Sequence, residues 1–258
     1  MPDSQALFIS HGAPTYVYDD VPARDFLCGL GKNLPRPDAI LCVTAHWETD
    51  IPTLSATPAP KTVHDFGGFT PDLYQIEYSA PGSPNVARQV ATALDAGGIE
   101  VAIDGARGFD HGTWVPLAIM YPDADIPVVQ LSVQPASKPE THFETGRALS
   151  ALMDQNILVI GSGGITHNLR EFGKTPIDGP LAIEAKTFAD WWHEKASDRD
   201  TWSDLMDYRE KAPHAEWNHP TCEHILPFYT VLGTGNHATR LHSSDTYGML
   251  AMDVYGFR

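Results

Sequence analysis

The stretch Ala6-Leu7-Phe8-Ile9-Ser10-His11-Gly12-Ala13-Pro14 decides the reading of the whole chain. Five residues of a short apolar run end on a histidine, and a Gly-Ala-Pro turn stops the strand directly after it. A short continuous apolar run bounded by turn residues reads as a strand buried on both faces. The same grammar recurs at residues 39–44, 99–103, 127–133 and 157–160. Between these runs lie helical patterns. The clearest has Ser83-Pro84 as N-cap and first residue, Val86, Val90 and Leu94 at a spacing of four, and a stop at Gly97-Gly98. Two further helices are expected over residues 140–155 and 181–195. In the latter the stripe Leu181, Ala185, Phe188, Trp191 and Trp192 reads as core rather than as a cofactor box. Strands alternating with helices predict an α/β fold: one domain over residues 1–258, with a central, largely parallel or mixed sheet covered by helices on both faces.

Composition narrows the function. Across 258 residues, 17 Lys and Arg stand against 33 Asp and Glu, a formal net charge of −16 with 12 His counted neutral. Such a surface repels phosphate backbones and anionic lipid, so no nucleic-acid or membrane partner is expected. Hydrophobic residues make up 42% and charged residues 19%, a globular balance. No apolar run approaches the roughly 20 residues that span a bilayer, and the start, Met1-Pro2-Asp3-Ser4-Gln5, lacks the pattern of a signal peptide. A cytoplasmic protein is expected. Cys28, Cys42 and Cys222 are odd in number and far apart, which fits neither a disulfide framework nor a thiolate zinc cluster. A bound metal would therefore rest on nitrogen and oxygen ligands.

In α/β sheets ligands collect at the carboxyl ends of strands. Three of the runs deliver a histidine there: His11 after the first, His46 after residues 39–45, and His167 after 157–160 and the turn Gly161-Ser162-Gly163-Gly164. One such histidine is as readily a satisfied polar core residue; three converging imidazoles suit Fe(II) or Zn(II). The compact His-Glu-x-x-His spacing is absent, and the glycine-rich turn lacks both the P-loop Lys and the third Gly of a dinucleotide fingerprint. The segment Asn218-His219-Pro220-Thr221-Cys222-Glu223-His224 offers a further ligand, with His219, Cys222, Glu223 and His224 as rivals. Adjacent side chains diverge, so Glu223 and His224 are not expected to bind one ion together. The same segment also reads as a helix start, capped by Thr221 with Glu223 complementing the dipole. Two loops, His64-Asp65-Phe66-Gly67-Gly68-Phe69 and Gly108-Phe109-Asp110-His111-Gly112-Thr113-Trp114, carry turn chemistry together with the aromatic content of a wall for a flat ring. Residues 197–220 read as a lid or a homo-oligomer contact rather than a linker, and residues 245–256 as a final strand, antiparallel at the sheet edge.

At these blocks the chain resembles the class III extradiol ring-cleaving dioxygenases, in particular their DOPA 4,5-dioxygenase-like branch. The shared stretches are Ser10-His11-Gly12-Ala13-Pro14, Ala45-His46-Trp47, His64-Asp65-Phe66-Gly67-Gly68-Phe69, Tyr78-Ser79-Ala80-Pro81-Gly82-Ser83-Pro84, Gly108-Phe109-Asp110-His111-Gly112, Thr166-His167-Asn168-Leu169 and Pro220-Thr221-Cys222-Glu223-His224. The resemblance implies a metal held at His11, His46 and His224, with His167 beside it and itself a ligand in zinc-loaded forms. It implies Fe(II) for activity and Zn(II) in purified or crystallised material. Its substrates would be a catechol and O2, with His167 and His111 catalytic and with His64, Phe66 and Asp110 binding the ring. Better-studied relatives in the wider class use two His and a Glu, which keeps Glu223 open as the third ligand. Two rival functions share the residues: a zinc hydrolase using metal-bound hydroxide, and a non-catalytic metal-binding module.

Overall fold

The two residues that follow each other along the first strand face opposite cores. In the computed structural model, which describes residues 6–258, Ala6–Ser10 forms β1. The N-terminal stretch read above for a signal peptide lies outside the described residues. Phe8 packs into one buried cluster, while Leu7 and Ile9 pack into another across the sheet. Period-two alternation with both faces apolar is what a central parallel strand requires.

The chain continues through α1 (Pro22–Asn33), β2 (Ala39–Glu48), β3 (Thr53–Ser55), α2 (Pro84–Ala96), β4 (Ala102–Asp104), α3 (His111–Met120), β5 (Val128–Val133), α4 (Pro139–Leu149) and β6 (Ile157–Gly163). It then runs through α5 (Ile183–Ser197), three short helices α6 (Trp202–Met206), α7 (Tyr208–Lys211) and α8 (Ala215–Asn218), α9 (Leu226–Thr234), β7 (Ala238–His242), the pair β8 (Asp245–Thr246) and β9 (Leu250–Ala251), and β10 (Val254–Phe257). Eight strands form one sheet in the order β4-β3-β5-β2-β6-β1-β10-β7. The pairs joining β5, β2, β6 and β1 are parallel, whereas β3 with β5, β1 with β10 and β10 with β7 are antiparallel. The sheet is therefore mixed around a parallel centre, with helices on both faces, as expected. Leu117 and Trp114 of α3 close one face, and Phe228 and Val231 of α9 with Leu94 of α2 close the other. Among the described residues no helix is long and apolar enough to cross a membrane.

Several boundaries differ from the sequence reading, each for a local reason. The helix expected over 140–155 turns into a 3-10 segment at Ser150–Gln155, ended by Asn156 in the left-handed region. The strand expected at 99–103 is three residues later and short, because Ile99 still bonds back to Leu94 at the end of α2. The final strand β10 is antiparallel but internal, since β7 covers its outer edge. Ser83 caps α2 through Val86 N–H, as its sequence suggests. Residues 197–220 are not a lid: Trp202, Leu205 and Tyr208 are buried in the core beside Phe188 and Trp192.

Candidate active site

The carboxyl ends of β1, β2 and β6 lie side by side at the middle of the sheet, and each delivers a site residue. His11 follows β1 directly and is buried; His46 lies within the last turn of the longer-than-expected β2. The end of β6 accepts the fourth segment, because Gly164 N–H bonds to the His224 carbonyl at 2.9 Å. Gly163 makes this approach feasible, since a Cβ at that position would overlap the His224 carbonyl.

Each of these imidazoles is fixed through Nδ1. His11 Nδ1 lies 3.0 Å from Ser162 Oγ, His46 Nδ1 3.2 Å from Asp65 Oδ2, and His224 Nδ1 2.8 Å from Glu223 Oε1. Ser162 donates its own hydrogen to the Gly112 carbonyl, so it accepts from His11, and carboxylates only accept. The network therefore places the proton on Nδ1 of all three rings and leaves Nε2 bare. The bare nitrogens face one another: His46 Nε2 is 3.0 Å from His11 Nε2 and 3.2 Å from His224 Nε2. Lone pairs crowded in this way call for a cation. Nitrogen ligands about 2.0–2.1 Å from a first-row ion lie about 2.9–3.4 Å apart at octahedral to tetrahedral angles, which matches this spacing. The donor set thus fits a metal, and Glu223 Oε1 accepts from His224 Nδ1.

His111 and His167 flank this seat. His111 opens α3, and its backbone N–H and Nδ1 both reach Asp65 Oδ1, at 2.9 and 3.0 Å. One carboxylate so orients two imidazoles. Burial raises the Asp65 pKa, but the hydrogen bonds from His111 and His46 outweigh it and hold the carboxyl well below the usual range. His167 lies on the other flank, its ring stacked on His224 with centroids 3.3 Å apart and planes 8° from parallel. His167 therefore lies face to face with a candidate ligand, and His167, Glu223 and His224 bring their donor atoms within 4.8 Å of one another. Burial, reinforced by His219, His46 and His111, pushes His167 down to about 3, so the ring is neutral near pH 7. His11 and His224 are held well below the imidazole range by burial and by the neighbouring histidines, and burial and His46 lower His111. Neutral rings are the forms that bind metals and accept protons.

Of the other residues singled out in sequence, Phe66 lines the cavity, whereas His64 and Asp110 do not. His64 Nε2 donates to the Ile76 carbonyl at 3.0 Å, and its ring backs Phe66 and Trp114. Asp110 is fully buried as the N-cap of α3, accepting from Thr113 N–H, Thr44 Oγ1 and Arg107 Nη2. In this structure both stand behind the cavity lining. His219 is buried with Nε2 on the Ile165 carbonyl, and Cys222 Sγ faces the Pro135 carbonyl, so neither joins the cluster. Thr221 caps no helix, since α9 starts at Leu226; its hydroxyl donates to Glu223 instead. Sequence reasoning missed the orienting roles of Asp65 and Ser162.

The cavity over the cluster measures about 680 Å³ and is walled by Phe66, Phe69, Phe172, Leu169 and Leu250 opposite the histidines. That volume suits a small aromatic ligand. Residues 5–257 match the family model described as the catalytic LigB subunit of aromatic ring-opening dioxygenase. This chain belongs to the LigB family of ring-opening dioxygenases. Within it the relatives are DOPA-dioxygenase-like. The chain is 39% identical to the 4,5-DOPA dioxygenase extradiol of Beta vulgaris, covering 98% of this chain and 96% of the relative. It is 41% identical to that of Portulaca grandiflora, at 98% and 95% coverage, and 40% to that of Escherichia coli K12, at 88% and 84%. A solved structure of an uncharacterised protein from Escherichia coli K12 superposes with a TM-score of 0.80 at 33% identity, covering 98% of this chain and 99% of that one. The LigB fold and the strand-end histidines thus agree.

Proposed function

We propose that this LigB-family dioxygenase opens a catechol-type ring beside a hydroxyl, with Fe(II) seated on His11, His46 and His224. The observation that carries the reading is the convergence of three bare Nε2 atoms under an aromatic-walled cavity. Fe(II) in that seat would supply Lewis acidity toward the two ring hydroxyls and a redox centre for O2. The protein supplies position and proton handling. Phe66, Phe69 and Phe172 hold the flat ring and keep bulk water from it. His111, with Nδ1 tied to Asp65, offers its free Nε2 as an acceptor for a ring hydroxyl. His167, neutral before substrate arrives, takes the second phenolic proton and later returns it, acting as general base and then acid. The ring carbon–carbon bond next to a hydroxyl carbon breaks, and both atoms of O2 enter the product, so no external reductant is needed.

His167 acts here as base rather than ligand. Zn(II) would occupy the same three nitrogens without the redox chemistry. Turnover of a catechol under ¹⁸O₂ tests the reaction: two labelled atoms per product are expected. A product with no label in its new carboxylate, or hydrolysis of an ester with none, would overturn it.

A further inference from the structure

Every catechol brings the same two hydroxyls to the metal seat, so discrimination among catechols must come from what surrounds the substituent. This argument rests on the dioxygenase reading above. Three acids line the cavity: Glu48, Asp65 and Glu223. Asp65 is committed to His46 and His111, and Glu223 to His224 and Thr221. Glu48, the last residue of β2, has no hydrogen-bond or ion-pair partner among the described residues. It stands two residues beyond His46 in the lining of the same cavity, past the irregularity in β2 between Val43 and Glu48. Among the described residues no Lys or Arg lines this cavity. Arg107, which packs on neighbouring Trp47, is engaged by the His46 carbonyl and by Asp110. The net charge of −16 adds a field that attracts cations.

We propose that Glu48 is a specificity determinant that favours catechols bearing a cationic amine on the side chain over those bearing only a carboxylate. An ammonium group extending from a ring on the metal seat meets an acid with no competing partner. A lone carboxylate meets the same acid with no Lys or Arg in the lining to offset it, and is repelled. Glu48 is exposed, so solvent screening keeps the preference moderate.

The test compares the Fe(II)-reconstituted wild type with Glu48→Gln by oxygen uptake on three catechols: 4-(2-aminoethyl)catechol, 4-ethylcatechol and 3-(3,4-dihydroxyphenyl)propionate. In the wild type kcat/KM should fall in that order. In the variant the aminoethyl-to-ethyl ratio should drop about three- to tenfold, and the propionate-to-ethyl ratio should rise. Calorimetry under nitrogen, with tyramine against 4-ethylphenol as probes, reads the same preference without turnover. Equal ratios in both proteins, in turnover and in binding, overturn the role of Glu48. Absence of oxygen uptake with all three catechols, alongside tyramine binding that weakens in Glu48→Gln, instead overturns the dioxygenase reading and retains the charge selection.

Discussion

Asp65 is the residue on which the geometry of the site turns, because its two oxygens hold His46 and His111 at once. Replacing it by Asn keeps the shape but leaves one acceptor oxygen for two imidazoles, and an NH2 group then faces a ring N–H. Metal affinity of Asp65→Asn should fall about 10–100-fold with the fold retained, as read by metal titration and circular dichroism. Affinity equal to the wild type would show that His46 needs no orienting carboxylate. The ligand assignment is equally direct. His11→Ala, His46→Ala and His224→Ala should each lose the metal, whereas Glu223→Gln, whose amide oxygen still accepts from His224 Nδ1, should keep most of it. Full occupancy in His224→Ala together with loss in Glu223→Gln would reverse that order. His167→Gln should keep metal and lose at least about 10²-fold in turnover, since general-base removal typically costs that much. A variant that fails to hold metal would make His167 a ligand.

Elements explain why these side chains meet. β6 can end against His224 only because residue 163 carries no Cβ, and the atom in the way is a backbone carbonyl that cannot rotate aside. Gly163→Ala should cost on the order of 1–3 kcal/mol in denaturant unfolding and weaken metal binding by shifting His224. Gly29→Ala, in α1 with no neighbour within 4 Å of the added carbon, is the control and should be neutral or mildly stabilising. Equal stability for both variants would deny the close approach its role. The strands that carry the site were legible in sequence because burial on both faces makes β1 and the first parts of β2 and β6 continuous apolar runs. β3 and β7 were not: β3 is three residues long, and β7 is a half-buried edge strand without alternation. His11, His46 and His167 were legible because each follows an apolar run, and Glu223 because it neighbours a histidine. Asp65 and Ser162 gained their roles from partners 46 and 151 residues away, a pairing that no local pattern encodes. That Asp110 and His64 stand behind the cavity lining was not legible for a related reason: turn and aromatic chemistry marks a loop near the site, but not which side chains point into it.

At the scale of the molecule, two apolar cores clamp the sheet, with buried polar clusters both within it and at its ends. His142 of α4 belongs to one of these, away from the metal seat. Its Nδ1 donates to the Lys138 carbonyl and its Nε2 accepts from Gln134 N–H, so the neutral ring is fully used and a second proton would break a bond. Burial pushes it down to about 4, against a smaller upward effect of the Lys138 carbonyl. Above pH 6.5 the ring is neutral in both folded and unfolded chains. As pH falls below that, the unfolded chain takes up a proton that the folded ring refuses until about pH 4, so stability declines across this window. The loss at this one site is on the order of 3 kcal/mol. His142→Asn should be less stable at pH 7 but show a shallower decline between pH 6.5 and 4 in denaturant melts. An identical slope would mean that His142 does not titrate there.

A three-histidine seat under an aromatic wall is proposed to open a catechol ring. Its most direct test reconstitutes the protein with Fe(II) under nitrogen, admits air with a catechol, and follows oxygen uptake and visible absorbance together. One O2 consumed per catechol, with a yellow ring-opened semialdehyde, is the predicted result, and His11→Ala should abolish it. Iron bound at full occupancy with neither oxygen uptake nor colour on any catechol would contradict the account.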